Sequence, residues 1–365
     1  MKIAEIIYAL EQIAPPSLQE DYDNAGLITG NPSWNCTGIL CSLDTTEEII
    51  EEAKANNCNL VVSHHPIVFH GLKKITGKNY VEKTIITAIK NDIAIYAIHT
   101  NLDNVIEGVN NKIADKLNLV NRNILSPKQN LLMKLFTFVP MEQAEKVRSA
   151  LFNAGAGNIG NYSEASFNAE GTGTFKAGQN ANPYVGEQGK RHEENEIKME
   201  VIFPSYLKQK IINDLIEVHP YEEVAYDVIT LSNEFNKTGS GLIGEMEVEI
   251  SEEKFLLFLK DAFDLKVIKH TKLLDKPVKK IAVCGGAGSF LINTALSANA
   301  DIYITSDIKY HEFFDANDRM LIADIGHWES EQFTIDLLHD VLRLKFPNFA
   351  VLKTGKNTNP VYYFI

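Results

Sequence analysis

Apolar positions along the chain follow two periods, and the switching between them outlines the fold. Residues 3–13 repeat at helical spacing, with Ile3, Ile6, Ile7, Leu10 and Ile13 on one stripe. Residues 38–43 (GILCSL), 59–63 (NLVVS) and 93–98 (IAIYAI) are short continuous apolar runs, the pattern of strands buried on both faces. Helical patterns separate them. TTEEIIEEAKANN opens on a threonine cap and an acidic first turn, and residues 81–91 and 107–117 also read as helices. The grammar returns late in the chain, with strands at 280–284 (KIAVC), 301–305 (DIYIT) and 320–325 (MLIADI). A long helix is predicted over 328–344 and a closing strand over 362–365. Strand alternating with helix predicts an α/β domain on a mostly parallel sheet, covered by helices.

The pattern changes over residues 127–235. A strand at 131–140 leads to a helix ended by Gly155, followed by a stretch to residue 189 rich in Gly, Asn and Ser. That stretch reads as a mobile loop over a ligand. A strand at 197–203, a helix at 206–218 and a strand at 224–231 follow. This β-α-β-β-α-β outline predicts a ferredoxin-like α+β domain at 127–235, inserted between halves at 1–126 and 236–365 of the α/β domain. A length of 365 residues suits that division.

Composition removes several function classes. The formal net charge of −13 and the lack of a basic run speak against nucleic acid as a partner. No apolar run approaches the roughly eighteen residues of a membrane span, and Glu5 and Glu11 interrupt the N-terminal stretch that resembles a leader. Cys36, Cys41, Cys58 and Cys284 have no metal-ribbon spacing, and most sit in or beside apolar runs, which fits a reducing cytoplasm.

Three short segments carry the chemistry, each directly after a buried run. Ser63-His64-His65-Pro66 follows NLVVS, and adjacent side chains share a face only where the strand breaks, as Pro66 enforces. Alone, two such histidines are equally at home on a surface. His99 and Asp103 follow IAIYAI; Asp103 suits a ligand or a cap, and His99 a ligand or the partner that orients one. His327 and Glu331 follow MLIADI at i,i+4, one helical turn apart, with Glu329 the carboxylate better placed for the helix dipole. Three such clusters at strand ends, where open α/β sheets bind ligands, form a pattern that no single one makes. The set His64, His65, Asp103, His327 and Glu331 mixes imidazole with carboxylate, which suits zinc first, then iron(II) or manganese, and not calcium. Five ligands exceed one tetrahedral site, so two divalent ions are predicted, with Glu331 as the bridge.

The segments SHHP, HTNLD and GHWESE, with DNAGL at 23–27, resemble the NIF-three-like proteins, the GTP cyclohydrolase I type 2 homologues. The resemblance covers most of residues 1–125 and 238–365. It implies a dinuclear metal centre at the five positions above and assembly as a toroidal homohexamer with the metal sites facing its cavity. The inserted segment, with His219-Pro220-Tyr221-Glu222-Glu223, resembles the PII/CutA-like insert of longer members. His219 and Glu222 suggest a metal pair but more often end a helix and start a strand.

Asp44, Asp307 and His311 leave other strand ends; Asp307, His311 and His99 are proton-transfer candidates. The turn CGGAGS at 284–289 offers backbone N–H groups to an anion, without the spacing of a nucleotide motif. Two functions stay open: a metal-dependent hydrolase acting on GTP or a phosphoester, and a metal-binding regulatory or scaffold protein whose insert senses an unidentified small molecule.

Overall fold

In the computed structural model, which describes residues 1–364, the chain divides into two compact units. One joins Met1–Pro127 to Asn236–Ile365, and the other is Lys128–Phe235.

The first unit begins with α1 (Ile3–Glu11), whose stripe buries Ile3, Ile6, Ala9 and Leu10. Then come β1 (Gly26–Thr29), β2 (Ile39–Ser42), α2 (Glu47–Ala55), β3 (Leu60–Ser63), α3 (Tyr80–Lys90) and β4 (Ala94–Ala97). The Thr46 and Asn79 side chains cap α2 and α3 by accepting from the N–H groups of Ile49 and Glu82. Every residue of β2, β3 and β4 is buried. Each buried aliphatic side chain contributes about 1.5–3 kcal/mol, which is how strands of four residues hold together. A single helical turn, α4 (Thr100–Asp103), follows, then α5 (Val109–Lys116) and β5 (Val120–Lys128).

The second unit contains β6 (Leu132–Pro140), α6 (Ala144–Asn153), β7 (Ser166–Lys176), β8 (Arg191–Pro204), α7 (Lys208–Val218) and β9 (Tyr226–Leu231). Its sheet runs β7-β8-β6-β9, every pair antiparallel. Leu135, Val139, Met199 and Val201 pack with Val147, Leu151, Ile211 and Leu215 of the helices into one core. The stretch expected to be a loop between Gly155 and Gly189 holds the eleven-residue strand β7. Its face is largely solvated, so no apolar alternation announced it; pairing with β8 across its whole length makes it a strand.

The chain returns to the first unit through β10 (Phe235–Ser251), α8 (Glu252–Ala262), β11 (Lys269–His270), β12 (Pro277–Ala287), α9 (Ile292–Ser297), β13 (Ile302–Ser306) and β14 (Leu321–Asp324). It finishes with α10 (His327–Glu331), α11 (Thr334–Lys345) and β15 (Val351–Lys353). One sheet is ordered β1-β4-β3-β2-β15 and the other β11-β14-β13-β12-β10-β5. Both sheets are mixed. β15, β2, β3 and β4 are parallel, but β1 is antiparallel to β4. β12, β13 and β14 are parallel, flanked by antiparallel β10 and β11. The antiparallel strands come from segments that carry no continuous apolar run.

The predicted helix over 328–344 is broken in two at Gln332 and Phe333. The Gln332 amide donates to the carbonyls of Glu329 and Phe263 (3.0 Å each), occupying the acceptor a continuous helix would use. The predicted strand at 362–365 is absent over Tyr362–Phe364; Ile365 lies outside the described residues. The chain just before it is tied down by side chains, with Asn359 donating to Glu329 (3.0 Å) and Thr358 to Asp44 (2.5 Å). Among the described residues, no helix is long and apolar enough to cross a membrane.

Candidate metal centre

The C-terminal ends of β3, β4 and β14 each release one chemical segment into the same place. β3 ends at Ser63, and the backbone of His65 still pairs with the carbonyl of Leu43 (2.9 Å). The His64 and His65 rings therefore leave at the strand's last rung, with centroids 4.9 Å apart. β4 ends at Ala97, and His99 caps the short helix that carries Asp103. β14 ends at Asp324, and α10 places His327 and Glu331 one turn apart.

All five predicted ligands meet. His64, Asp103 and Glu331 offer donor atoms within 4.8 Å of one another, and so do His65, His327 and Glu331. Glu331 belongs to both groups. One carboxylate oxygen lies 3.8 Å from His64 Nε2, and the other lies 2.9 Å from His65 Nε2 and 3.2 Å from His327 Nε2. A third group joins His64, His65 and His99.

Each of the four imidazoles is anchored through Nδ1, leaving Nε2 turned to the centre. The acceptors are the Ile98 carbonyl for His64 (2.9 Å), Asp44 for His65, Asp23 for His99 and Asp307 for His327 (2.7 Å each). Such an acceptor fixes the tautomer and raises the basicity of the opposite nitrogen. The acceptors are themselves held: Asp23 takes bonds from the Thr100 N–H (3.0 Å) and hydroxyl (2.5 Å), and Asp44 from Thr358. Asp307 thus sits as the orienting partner of His327. His311 is in none of the three groups; it is exposed and stacked on Phe314.

The electrostatics are those of a site short of positive charge. Burial, then the charge of Glu331, pushes Asp103 up to about 7. Burial opposes ionisation of Glu331 as well, but His327, His64 and His65 hold it well below the usual carboxylate range. Burial would lower His65 and His327, yet their carboxylate partners lift them to about 10 and about 11. His64 Nε2 and Asp103 Oδ1 are buried with no hydrogen-bond partner. Each such atom costs about 1–3 kcal/mol unless something satisfies it, and a cation between them would satisfy both. The donors fit a divalent ion.

The turn CGGAGS supports this centre rather than an anion. The Gly285 and Gly286 N–H groups already donate to Asn110 and Ser330 (2.9 Å each). Gly286 has φ +65, and a Cβ there would come within 2.4 Å of Glu331. Glycine is required so that the backbone can lie against the shared carboxylate. Asp23, which lies after no buried strand, has no strand-end signal and was legible only within DNAGL; His99 shows its role. The tempting pair His219 and Glu222 is used structurally: His219 bonds the Phe138 carbonyl (3.1 Å) and the Tyr221 N–H (3.1 Å), and Glu222 accepts from the Asn182 N–H (2.8 Å).

The sequence profile of the family described as Duf34/NIF3 (NGG1p interacting factor 3) matches residues 1–360. The chain belongs to this family. It is 40% identical over 368 residues to a protein of Halalkalibacterium halodurans named GTP cyclohydrolase 1 type 2 homolog, covering 99% of each chain. It is 38% identical over 326 residues to the protein of that name from Bacillus subtilis (strain 168), covering 89% of this chain and 87% of the relative. Among solved structures, a Bacillus cereus protein related to NIF3 superposes with a TM-score of 0.88 at 37% identity, covering 100% of this chain and 99% of the other. The Staphylococcus aureus protein SA1388 gives 0.78 at 28% identity, with the same coverage.

Proposed function

We propose that this member of the family binds two divalent metal ions and uses them in a hydrolytic reaction. The observation that carries the reading is the shared Glu331 carboxylate, with His64 near one oxygen, His65 and His327 near the other, and Asp103 grouped with His64 and Glu331. His64, Asp103 and Glu331 would hold one ion, and His65, His327 and Glu331 the other. Zinc heads the ions this donor set suits, followed by iron(II) and manganese. When bound, such a pair supplies Lewis acidity and a water of lowered pKa.

This chain's own residues do the rest. Asp44, Asp307 and the Ile98 carbonyl keep the Nδ1 protons, so that Nε2 is the nitrogen each ring would offer an ion, which would displace the proton there. His99, with Nδ1 on Asp23 and its ring 5.2 Å from His64, is the group placed to move a proton at the edge of the centre. The relatives' name suggests GTP as substrate, and a phosphoester is the other candidate for a paired metal centre. Purine ring opening needs a proton donor of this kind.

We further read the inserted unit as ferredoxin-like, which its antiparallel β7-β8-β6-β9 order with two helices supports. The family resemblance implies a homohexamer, to be tested by sedimentation. Four free, buried cysteines support a cytoplasmic setting.

The test is metal analysis of the chain purified without chelators, beside His65→Ala and Asp103→Ala, each assayed with GTP and a generic phosphoester. About two ions per chain, lost in the variants together with turnover, is the expected result. Metal without turnover would support the regulatory reading instead, and a chain that takes up no metal would overturn both.

A further inference from the structure

The inserted unit carries a half-open cavity of about 600 Å³ lined only by its own residues. It lies on the sheet face away from the helices. Cross-strand partners point to the same side, and Phe138 and Ala169 both stand opposite Lys198, while Gly171 stands opposite Glu196. These are the residues between the core positions Val139, Met199 and Ile197, so they face outward and floor the cavity. The chain after β7, through Pro183 and Tyr184, and the turn Tyr221-Glu222-Glu223 form its roof. The Asn182 N–H donates to Glu222 (2.8 Å) and joins these two segments, and the Gln188 amide donates to the Ala181 carbonyl (2.7 Å).

Its walls are rings, and its charge is negative. Phe175 and Tyr184 each stand with ring centroids 6.3 Å from Tyr221, and Phe138 completes the set. Among them is the carboxylate of Glu196, which is only 8% exposed. One oxygen accepts from the Tyr221 hydroxyl (2.7 Å). The other lies over Gly173, where a Cβ would come within 2.0 Å, so glycine makes room for it. Among the described residues no lysine or arginine pairs with Glu196. Lys198 beside it is engaged by Glu200 (2.9 Å) and rests 4.6 Å over the Phe136 ring. Glu222 and Glu223 add negative charge at the roof. A buried carboxylate without a counter-ion is costly, and a cation between aromatic faces is attracted both by it and by the rings. A phosphate would meet four lining carboxylates, Glu170, Glu196, Glu222 and Glu223, while the one lining lysine, Lys198, is held by Glu200.

We propose that this cavity binds a small organic cation, a protonated amine or quaternary ammonium with a flat or short apolar body, its charge against Glu196 and its body between the rings.

The test titrates the full chain by calorimetry with benzylammonium, its neutral counterpart benzyl alcohol, the anion benzoate, and ATP. Benzylammonium binds, benzyl alcohol binds about tenfold more weakly or not at all, and benzoate and ATP give no binding. Glu196→Gln lowers benzylammonium affinity about tenfold or more. Gly171→Val abolishes it with an unchanged melting temperature, because a Cβ at Gly171 meets no atom within 4 Å and the strand accepts a branched residue. The proposal is overturned if benzylammonium does not bind at millimolar concentration, if both variants bind it as wild type does, or if benzoate or ATP binds as well as the amine.

Discussion

His64 Nε2 and Asp103 Oδ1 face each other across 3.5 Å, both buried and neither hydrogen-bonded. A protein that needed only stability would fill this place with apolar side chains or complete the bond. The gap is the width an interposed cation uses, and such a cation would satisfy both atoms at once.

Asp103→Asn follows from that gap. Without metal, the variant should be at least as stable as wild type, by up to about 1–3 kcal/mol, because it removes a carboxylate that burial and Glu331 oppose. Its metal content should fall at the same time. Melting of both metal-free proteins, with metal analysis of both as purified, checks this; a clearly less stable metal-free variant would mean that Asp103 serves the fold.

Asp44→Asn and Asp307→Asn leave every proposed ligand in place and remove what orients His65 and His327. Metal affinity should fall about 10–100-fold in each, read by competition with a chromogenic chelator, with the circular dichroism spectrum unchanged. Wild-type affinity in both would show that packing alone sets the rings.

Gly286→Ala should displace the shared carboxylate. The added Cβ meets Glu331 at 2.4 Å in a backbone conformation with φ +65, so both metal sites are disturbed and the fold loses about 1 kcal/mol or more. Retention of full metal content in a folded variant would contradict a fixed position for Glu331.

The inserted unit should weaken in mild acid. Burial holds His219 below its ordinary 6.5, and its neutral ring accepts from the Tyr221 N–H while bonding the Phe138 carbonyl. Below pH 6.5 the unfolded chain takes up a proton that the folded unit resists, so stability present above 6.5 is lost as pH falls toward the folded value. The protection factor of the Tyr221 amide, its exchange rate relative to the intrinsic rate at each pH, should fall over that interval, and a pH-independent protection factor would refute the link.

The residue sequence alone determined what is local. Short apolar runs marked β2, β3, β4, β13 and β14, because a strand buried on both faces has no polar positions to spare. It also marked SHHP, HTNLD and GHWESE as the chemical segments, since each leaves such a run. Contacts between distant residues belonged to the tertiary structure. His65 and Glu331 are 266 positions apart and His99 and Asp23 are 76 apart, and no periodicity links them. The antiparallel edges, the break at Gln332 and the solvated strand β7 were likewise set by partners elsewhere in the chain. Strand pairing is decided by what lies alongside, and a metal site by which side chains fold to within a few ångströms of one another; both are properties of the assembled unit rather than of any segment in it.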